Sequence, residues 1–217
     1  MKYPINERNK VKRVPKRGHY DKETVYEILD AGNICHISFI HNEQPFIIPT
    51  LYGRHQDKIY LHGAASSRMI ENIQQGFPVS LAVTHVDSIV LARSAFHHSM
   101  NYRSVVAYGS ARVISEEEKL RALKAISDQV IEDRWEETRL PNAKELKATT
   151  VLEFEIEQAS AKIRTGGPSD DKPDYDLDIW AGVIPLKNIA EEAIDDDLLR
   201  KGIPRPKSVQ SYVNTFK

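Results

Sequence analysis

A single cysteine in 217 residues, Cys35, excludes an intrachain disulfide framework and suits a reducing compartment. No apolar run approaches the length of about 18 residues that a membrane-spanning helix needs. The N-terminus is basic but lacks the apolar stretch of a secretory signal, so a cytoplasmic location is expected. Neither of the glycine-rich phosphate fingerprints, G-x-G-x-x-G or G-x-x-x-x-G-K-[ST], occurs. A nucleotide cofactor, if bound, needs another kind of cradle. Net charge is only -1, which leaves no global field to draw the chain to nucleic acid or an anionic membrane. Hydrophobic residues at 41% and charged residues at 28% are the balance of a globular chain able to bury a core without staples.

Charge is nevertheless uneven. Residues 1–17 carry Lys2, Arg8, Lys10, Lys12, Arg13, Lys16 and Arg17 against Glu7 alone. Residues 170–197 are rich in aspartate and glutamate, with Lys172 and Lys187 the only bases. These segments read as solvated surfaces that pair with each other or across a dimer. A nucleic-acid arm is the sharper alternative, disfavoured because aromatic residues do not interleave a large basic surface.

Residues 1–20 read as an extended arm, punctuated by Pro4, Pro15 and Gly18. Asp21 can cap a helix whose Val25, Ile28 and Leu29 share one face. Alternating apolar residues then predict strands at Cys35–Ile40, Phe46–Tyr52, Ile59–His62, from Val79 toward Leu91, Tyr102–Ile114, Leu152–Ile156 and Val183–Leu186. Ser115 and Glu118 form a capping box before a helix whose apolar residues are Leu120, Leu123, Ile126 and Val130. Short strands joined by hairpins predict a mainly β fold, a six- or seven-stranded antiparallel split barrel over residues 21–187, with residues 188–217 as a C-terminal extension. A lipocalin-like closed barrel is disfavoured, because the helix after Ser115 interrupts the strand series.

Three stretches can carry chemistry. In His62-Gly63-Ala64-Ala65-Ser66-Ser67-Arg68 a strand runs through small residues into a helix start. Free backbone N–H groups, two hydroxyls and a guanidinium make a phosphate site there, or an ordinary helix cap with a surface arginine. Asn101-Tyr102-Arg103-Ser104 enters an apolar strand and is either a polar barrel mouth or a solvated strand end. Trp180, near Asp174, Asp176 and Asp178, can cover an aromatic ring or pack on the barrel. His62 itself is a candidate proton donor, against the plainer reading of a structural strand-end histidine. His97 and His98 have no cysteine or carboxylate at metal-ligand spacing, so no metal site is expected. Cys35 falls on an apolar strand face and reads as an inert core thiol.

The order Pro45-Phe46-Ile47-Ile48-Pro49-Thr50-Leu51-Tyr52-Gly53, Tyr60-Leu61-His62-Gly63, Ser66-Ser67-Arg68, Asn101-Tyr102-Arg103-Ser104-Val105 and Trp180-Ala181-Gly182-Val183-Ile184-Pro185-Leu186 resembles the pyridoxamine 5'-phosphate oxidase-related family. The closer likeness is to its branch of nitroimidazole-resistance and flavin-nucleotide-binding proteins. The resemblance covers roughly residues 14–187. It implies a homodimer of split barrels with FMN at each subunit interface. By that likeness Ile47, Ile48, Pro49, Thr50 and Leu51 lie beside the isoalloxazine ring. His62, Ser66, Ser67 and Arg68 hold ribityl and phosphate. Tyr102, Arg103 and Ser104 border the ring from the other subunit, and Trp180 approaches it from the partner chain.

The phosphate site is poorer in arginine and lysine than that of true pyridoxamine 5'-phosphate oxidases. Their C-terminal substrate signature has no counterpart here, so that oxidation is not expected. The resemblance leaves two functions open. One is an FMN-dependent oxidoreductase that takes electrons from NAD(P)H and reduces a small acceptor such as a nitroaromatic compound. The other is a flavin- or haem-binding storage protein without turnover.

Overall fold

The computed structural model describes residues 1–64, 67–74 and 78–215. Ser66, expected in the phosphate loop, lies outside them. Among the described residues nine strands form one antiparallel sheet. They are β1 (Gly18–His19), β2 (Ile34–His41), β3 (Gln44–Leu51), β4 (Gly53–His55), β5 (Lys58–Ala64), β6 (Val79–Leu91), β7 (Ser99–Val113), β8 (Thr149–Arg164) and β9 (Gly182–Pro185). Hydrogen-bonded neighbours run β3-β2-β6-β7-β8-β5-β4; β1 adds to β8 and β9 to β6. The sheet curls until β3 approaches β5 without a ladder between them, and this gap is the split of the barrel. Helices α1 (Lys22–Asp30), α2 (Arg68–Gln74), α3 (Glu116–Val130), α4 (Ala143–Ala148) and α5 (Lys207–Thr215) decorate it. None is long and apolar enough to cross a membrane.

Period-two alternation sets the inside and outside of the barrel. Cys35, Ile37 and Phe39 of β2, Leu81 and Val83 of β6, Val105 and Ala107 of β7 and Leu152 and Phe154 of β8 meet in one buried cluster. Asp21 does open α1, its carboxylate accepting from the Thr24 N–H at 2.9 Å, and Val25, Ile28 and Leu29 bury as expected. The Asn42–Glu43 turn between β2 and β3 has φ of 49° and 61°, the paired left-handed conformation of a two-residue hairpin.

A second, smaller cluster lies outside the sheet, where Tyr60, Ile114 and Val151 pack beneath Ala122 and Ile126 of α3. The face of α3 turned inward is Lys119, Ala122 and Ile126, while Leu120 is 41% exposed. Of the expected apolar residues, Ile126 is buried and Leu123 packs against this cluster, while Leu120 turns outward. The helix approaches closely: a Cβ on Gly53 would lie 2.4 Å from the backbone of Ala125 and Ile126, so α3 rests on bare β4 backbone.

The N-terminal segment, read from the sequence as an extended arm, is docked on the barrel. Tyr3 is buried, and its hydroxyl donates to Asp57 Oδ1 at 2.7 Å. Tyr26 donates to the same oxygen at 2.6 Å, and Lys22 pairs with Asp57 Oδ2. Buried Asn9 donates to the carbonyls of Pro4 and Ala159 at 2.9 and 3.2 Å. Burial pushes the Asp57 carboxyl up, but Lys22, Tyr26 and Tyr3 outweigh it and hold it below the ordinary range. A depressed carboxylate contributes stability above its unfolded pKa, near 4, that is lost as pH falls through the folded value. Asp57→Asn should lower stability at pH 7 by about 1–2 kcal/mol, discounted for the partial exposure of the pair. The gap between variant and wild type should narrow as pH falls below the ordinary carboxylate value, near 4, read from urea midpoints at neutral and acid pH. A gap unchanged at low pH would remove Asp57 as the ionised anchor of the arm.

The extension is also docked. Ser208 of α5 donates its N–H to Glu137 at 3.3 Å, Val213 is buried, and Arg205 pairs with Glu192 and Asp195.

Candidate functional site at the split of the barrel

β3 ends the sheet, so one of its backbone edges has no strand partner among the described residues. Its residues alternate. Phe46, Ile48 and Thr50 are half-buried and share the core-facing side of their partners Phe39, Ile37 and Cys35. Ile47, Pro49 and Leu51 face out, with Ile47 67% exposed. Ile34 and Ile40 of β2 join them on that outer face, with His36 and Ser38 between them. Pro45 and Pro49 remove N–H donors from the edge, which blunts it against further strand addition.

α2 packs against β2 and β7, and the Arg68 side chain at its start reaches β3. Met69 and Ile70 are buried in the main core cluster, and the Asn72 amide donates to the Ile40 carbonyl. Ser67 is used locally: its N–H donates to the Ala64 carbonyl at 2.9 Å, and its hydroxyl accepts from the Ile70 N–H at 3.3 Å as the helix cap. Arg68 is not used locally. Its guanidinium lies 4.7 Å from the centroid of the Phe46 ring, and it has no hydrogen-bond acceptor or acid among the described residues. Of the two readings of this loop, Ser67 fits the ordinary cap, while Arg68 presents unspent donors beside β3.

The other predicted residues are not brought to this edge within one chain. Tyr102, Arg103 and Ser104 lie on β7, separated from β3 by β6 and β2. They also divide between faces. Arg103 is held by Asp87 through bonds of 2.8–3.2 Å from its Nε and Nη2. Tyr102 and Ser104 point the opposite way, and the Ser104 hydroxyl donates to the Lys162 carbonyl at 3.3 Å. Asp87 was not legible as the partner of Arg103. It sits at the register shift between Val86 and Ser88, where the strand alternation breaks. Trp180 precedes β9 and is 67% exposed. Its ring lies over Gly182, where a Cβ would come within 2.8 Å of it.

The segment before Trp180 is tied to the loop after β6. Asp170 accepts from the N–H groups of Arg93 and Ser94 at 3.2 and 3.1 Å, and Arg93 stacks on Tyr175 at 5.0 Å. His97 meets Asp171 at 3.5 Å, and Asp174 completes a group whose ligand atoms all lie within 4.8 Å of one another. The carboxylates that no local spacing offered to His97 thus arrive from residues more than 70 positions away. Behind the network, buried Arg164 bonds Asn101 and the carbonyls of Gly166 and Gly167.

His62 stands apart from Arg68. On β5, Ile59 and Leu61 enter the barrel core, whereas Tyr60 is buried beneath α3. His62 continues the Tyr60 face, outside the barrel, and opens onto an apolar cleft of about 370 Å³ lined by Leu123, Ile126, Val130 and Trp135. Cys35 is inert as expected: burial pushes its thiol up to about 12.

A family profile described as pyridoxamine 5'-phosphate oxidase matches residues 21–163. Among solved structures, a flavocytochrome of Azotobacter vinelandii is 36% identical, covering 95% of this chain and 97% of its own, with a TM-score of 0.90. An FAD and haem binding protein of Mycobacterium smegmatis is 30% identical, covering 90% and 97%, with a TM-score of 0.87. A protein of Bacteroides thetaiotaomicron named for 5-nitroimidazole antibiotic resistance shares the fold at 21% identity over 66% of this chain and 84% of its own, with a TM-score of 0.57. None of the curated proteins compared with the chain matches it. The split-barrel fold, the profile match across the sheet and the near full-length likeness to two solved structures agree, and the chain belongs to the pyridoxamine 5'-phosphate oxidase family.

Proposed function

We propose that the chain is a flavin-binding oxidoreductase whose flavin lies against β3 and the start of α2. The observation that carries this reading is Arg68, a guanidinium stacked on Phe46 with no acceptor among the described residues, beside an apolar strand. The residues present fit the group: free donors for a phosphate and a flat apolar surface for the ring system. A bound flavin supplies hydride and single-electron transfer, which no side chain of this site can perform.

FMN is the species that one guanidinium site suits best. FAD is the second reading, favoured because the 30% identical relative is named for FAD binding. Mass analysis of the flavin released from purified protein separates the two. Haem is the second cofactor of this reading, since that relative is named for haem as well and the 36% identical relative is a flavocytochrome. Both likenesses reach beyond the family match into the terminal segments.

A homodimer belongs to the same reading. The outer face exposes Ile34, Ile40, Ile47 and Leu51, and a twofold contact there would cover them. A partner subunit would also deliver Tyr102, Ser104 and Trp180 to a site they do not reach within one chain. The electron donor in this reading is NADH or NADPH, and the acceptor a small molecule. Anaerobic stopped-flow mixing of flavin-loaded protein with either nucleotide should bleach the oxidised-flavin band, and a nitroaromatic compound should restore it. If neither nucleotide bleaches the band over many minutes, the NAD(P)H reductase is discarded and flavin binding alone is left.

A further inference from the structure

Two short turns from distant parts of the chain face each other. One is the 3-10 turn Ala95–His97 in the loop after β6, and the other is the 3-10 turn Lys172–Asp176. Between them the His97 imidazole and the carboxylates of Asp171 and Asp174 bring their ligand atoms within 4.8 Å of one another. We propose that these three side chains hold one divalent metal ion of the zinc class, which pins the segment leading to Trp180 onto the loop after β6. The site does not depend on where the flavin lies.

Each turn is shaped to present its ligands. In a 3-10 helix, side chains three residues apart eclipse. Asp171 precedes its turn and Asp174 stands three residues on, with the Asp174 N–H donating to the Asp171 carbonyl at 3.0 Å, so the two carboxylates share one edge. Pro173 between them fixes its own φ. In the other turn the Ser94 hydroxyl accepts from the Phe96 N–H at 3.3 Å, and the Phe96 ring meets the His97 imidazole edge-on at 5.3 Å. Asp170 clamps the two turns together through the N–H groups of Arg93 and Ser94. The neighbouring groups are thus spent: Asp170 and Arg93 on the clamp, and His98 on the Ala92 N–H at 3.1 Å. His97, Asp171 and Asp174 are left facing one another.

Distance and donor type select the ion. His97 Nε2 and Asp171 Oδ2 are 3.5 Å apart, long for a hydrogen bond. Two ligands at about 2.1 Å from a tetrahedral ion lie about 3.4 Å from each other, close to this gap. Calcium and magnesium take a shell of oxygens, whereas imidazole joined to carboxylates suits zinc and its neighbours. A neutral imidazole and two carboxylates balance a doubly charged cation, and the ion relieves the repulsion between two acids on one edge. Three protein ligands leave the fourth position to water.

The test is zinc titration of the chelator-treated full-length protein by calorimetry, with wild type, His97→Ala, Asp174→Asn and, as an exposed histidine elsewhere, His55→Ala. Wild type and His55→Ala should take up one zinc per chain, and their melting midpoints should rise with zinc concentration. His97→Ala and Asp174→Asn should bind at least about tenfold more weakly and lose that rise, since loss of an outer-shell partner alone costs about that much. Magnesium at the same concentrations should produce neither effect. Circular dichroism of each variant reports whether it is folded. Absence of stoichiometric zinc uptake by wild type would overturn the proposal. So would unweakened uptake by either ligand variant, which would mark an adventitious ion only.

Discussion

Arg68→Ala is expected to weaken FMN binding by roughly 10- to 150-fold, the loss of about 1.5–3 kcal/mol typical of a hydrogen bond to a charged group. Among the described residues Arg68 neither pairs with an acid nor caps a helix, and its one contact is the Phe46 ring. Its removal therefore leaves no buried partner unsatisfied, and the stability of the protein should barely change. Riboflavin, which lacks the phosphate, isolates the effect. Wild type should prefer FMN to riboflavin, Arg68→Ala should lose most of that preference, and its affinity for riboflavin should match wild type. Arg68→Lys should fall between, since it keeps the charge but not the planar fork or the stacking. Titration of apo-protein by flavin fluorescence reads all three. A variant that kept the full preference for FMN would move the phosphate away from the start of α2.

Gly109→Ala should cost the fold about 3 kcal/mol or more, against a total stability of roughly 5–15 kcal/mol for a domain. A Cβ at Gly109 would lie 1.9 Å from the Glu155 carbonyl oxygen and 3.1 Å from its carbonyl carbon. Both are backbone atoms of the neighbouring strand, so no side chain can turn aside. The contact falls where β7 and β8 shift register, Tyr108 pairing with Gln158 and Gly109 with Ile156. Relief would require parting the longest ladder of the barrel. The melting midpoint should drop by roughly 6–12 °C, or the variant should fail to accumulate as soluble protein. Gly167→Ala is the control, because no atom lies within 4 Å of the Cβ it would add. Equal midpoints for the two variants would mean that the β7–β8 ladder yields at that bulge at little cost.

The strands were legible where apolar residues alternate over a long enough run. Cys35, Ile37 and Phe39 announce β2, and Val79, Leu81 and Val83 announce β6, because burial on one face of a pleated strand imposes a period of two. The short strands β1 and β4 carry too few residues to show a period. β8 reads as a strand only from Leu152 to Ile156, yet it runs to Arg164, since small and charged residues fill its distal half where β1 and β7 cover it.

The site divides in the same way. Local spacing located the small-residue loop and Arg68 at a helix start, because a cap and a strand end are encoded within a few residues. Everything that depends on which strands meet was silent in the sequence. The spacing of residues does not say that Arg103 would be claimed by Asp87 across a register shift, or that Asp171 and Asp174 would reach His97. Nor does it say that Trp135 and His62 would line one cleft. These pairings join positions from 16 to more than 70 residues apart. The sequence by itself determined the mainly β class, the alternation of the major strands and the position of the loop. Only the curling of the sheet decided that His62 faces away from the barrel while Arg68 stays with β3, because a strand's two faces look alike in sequence until something packs against one of them.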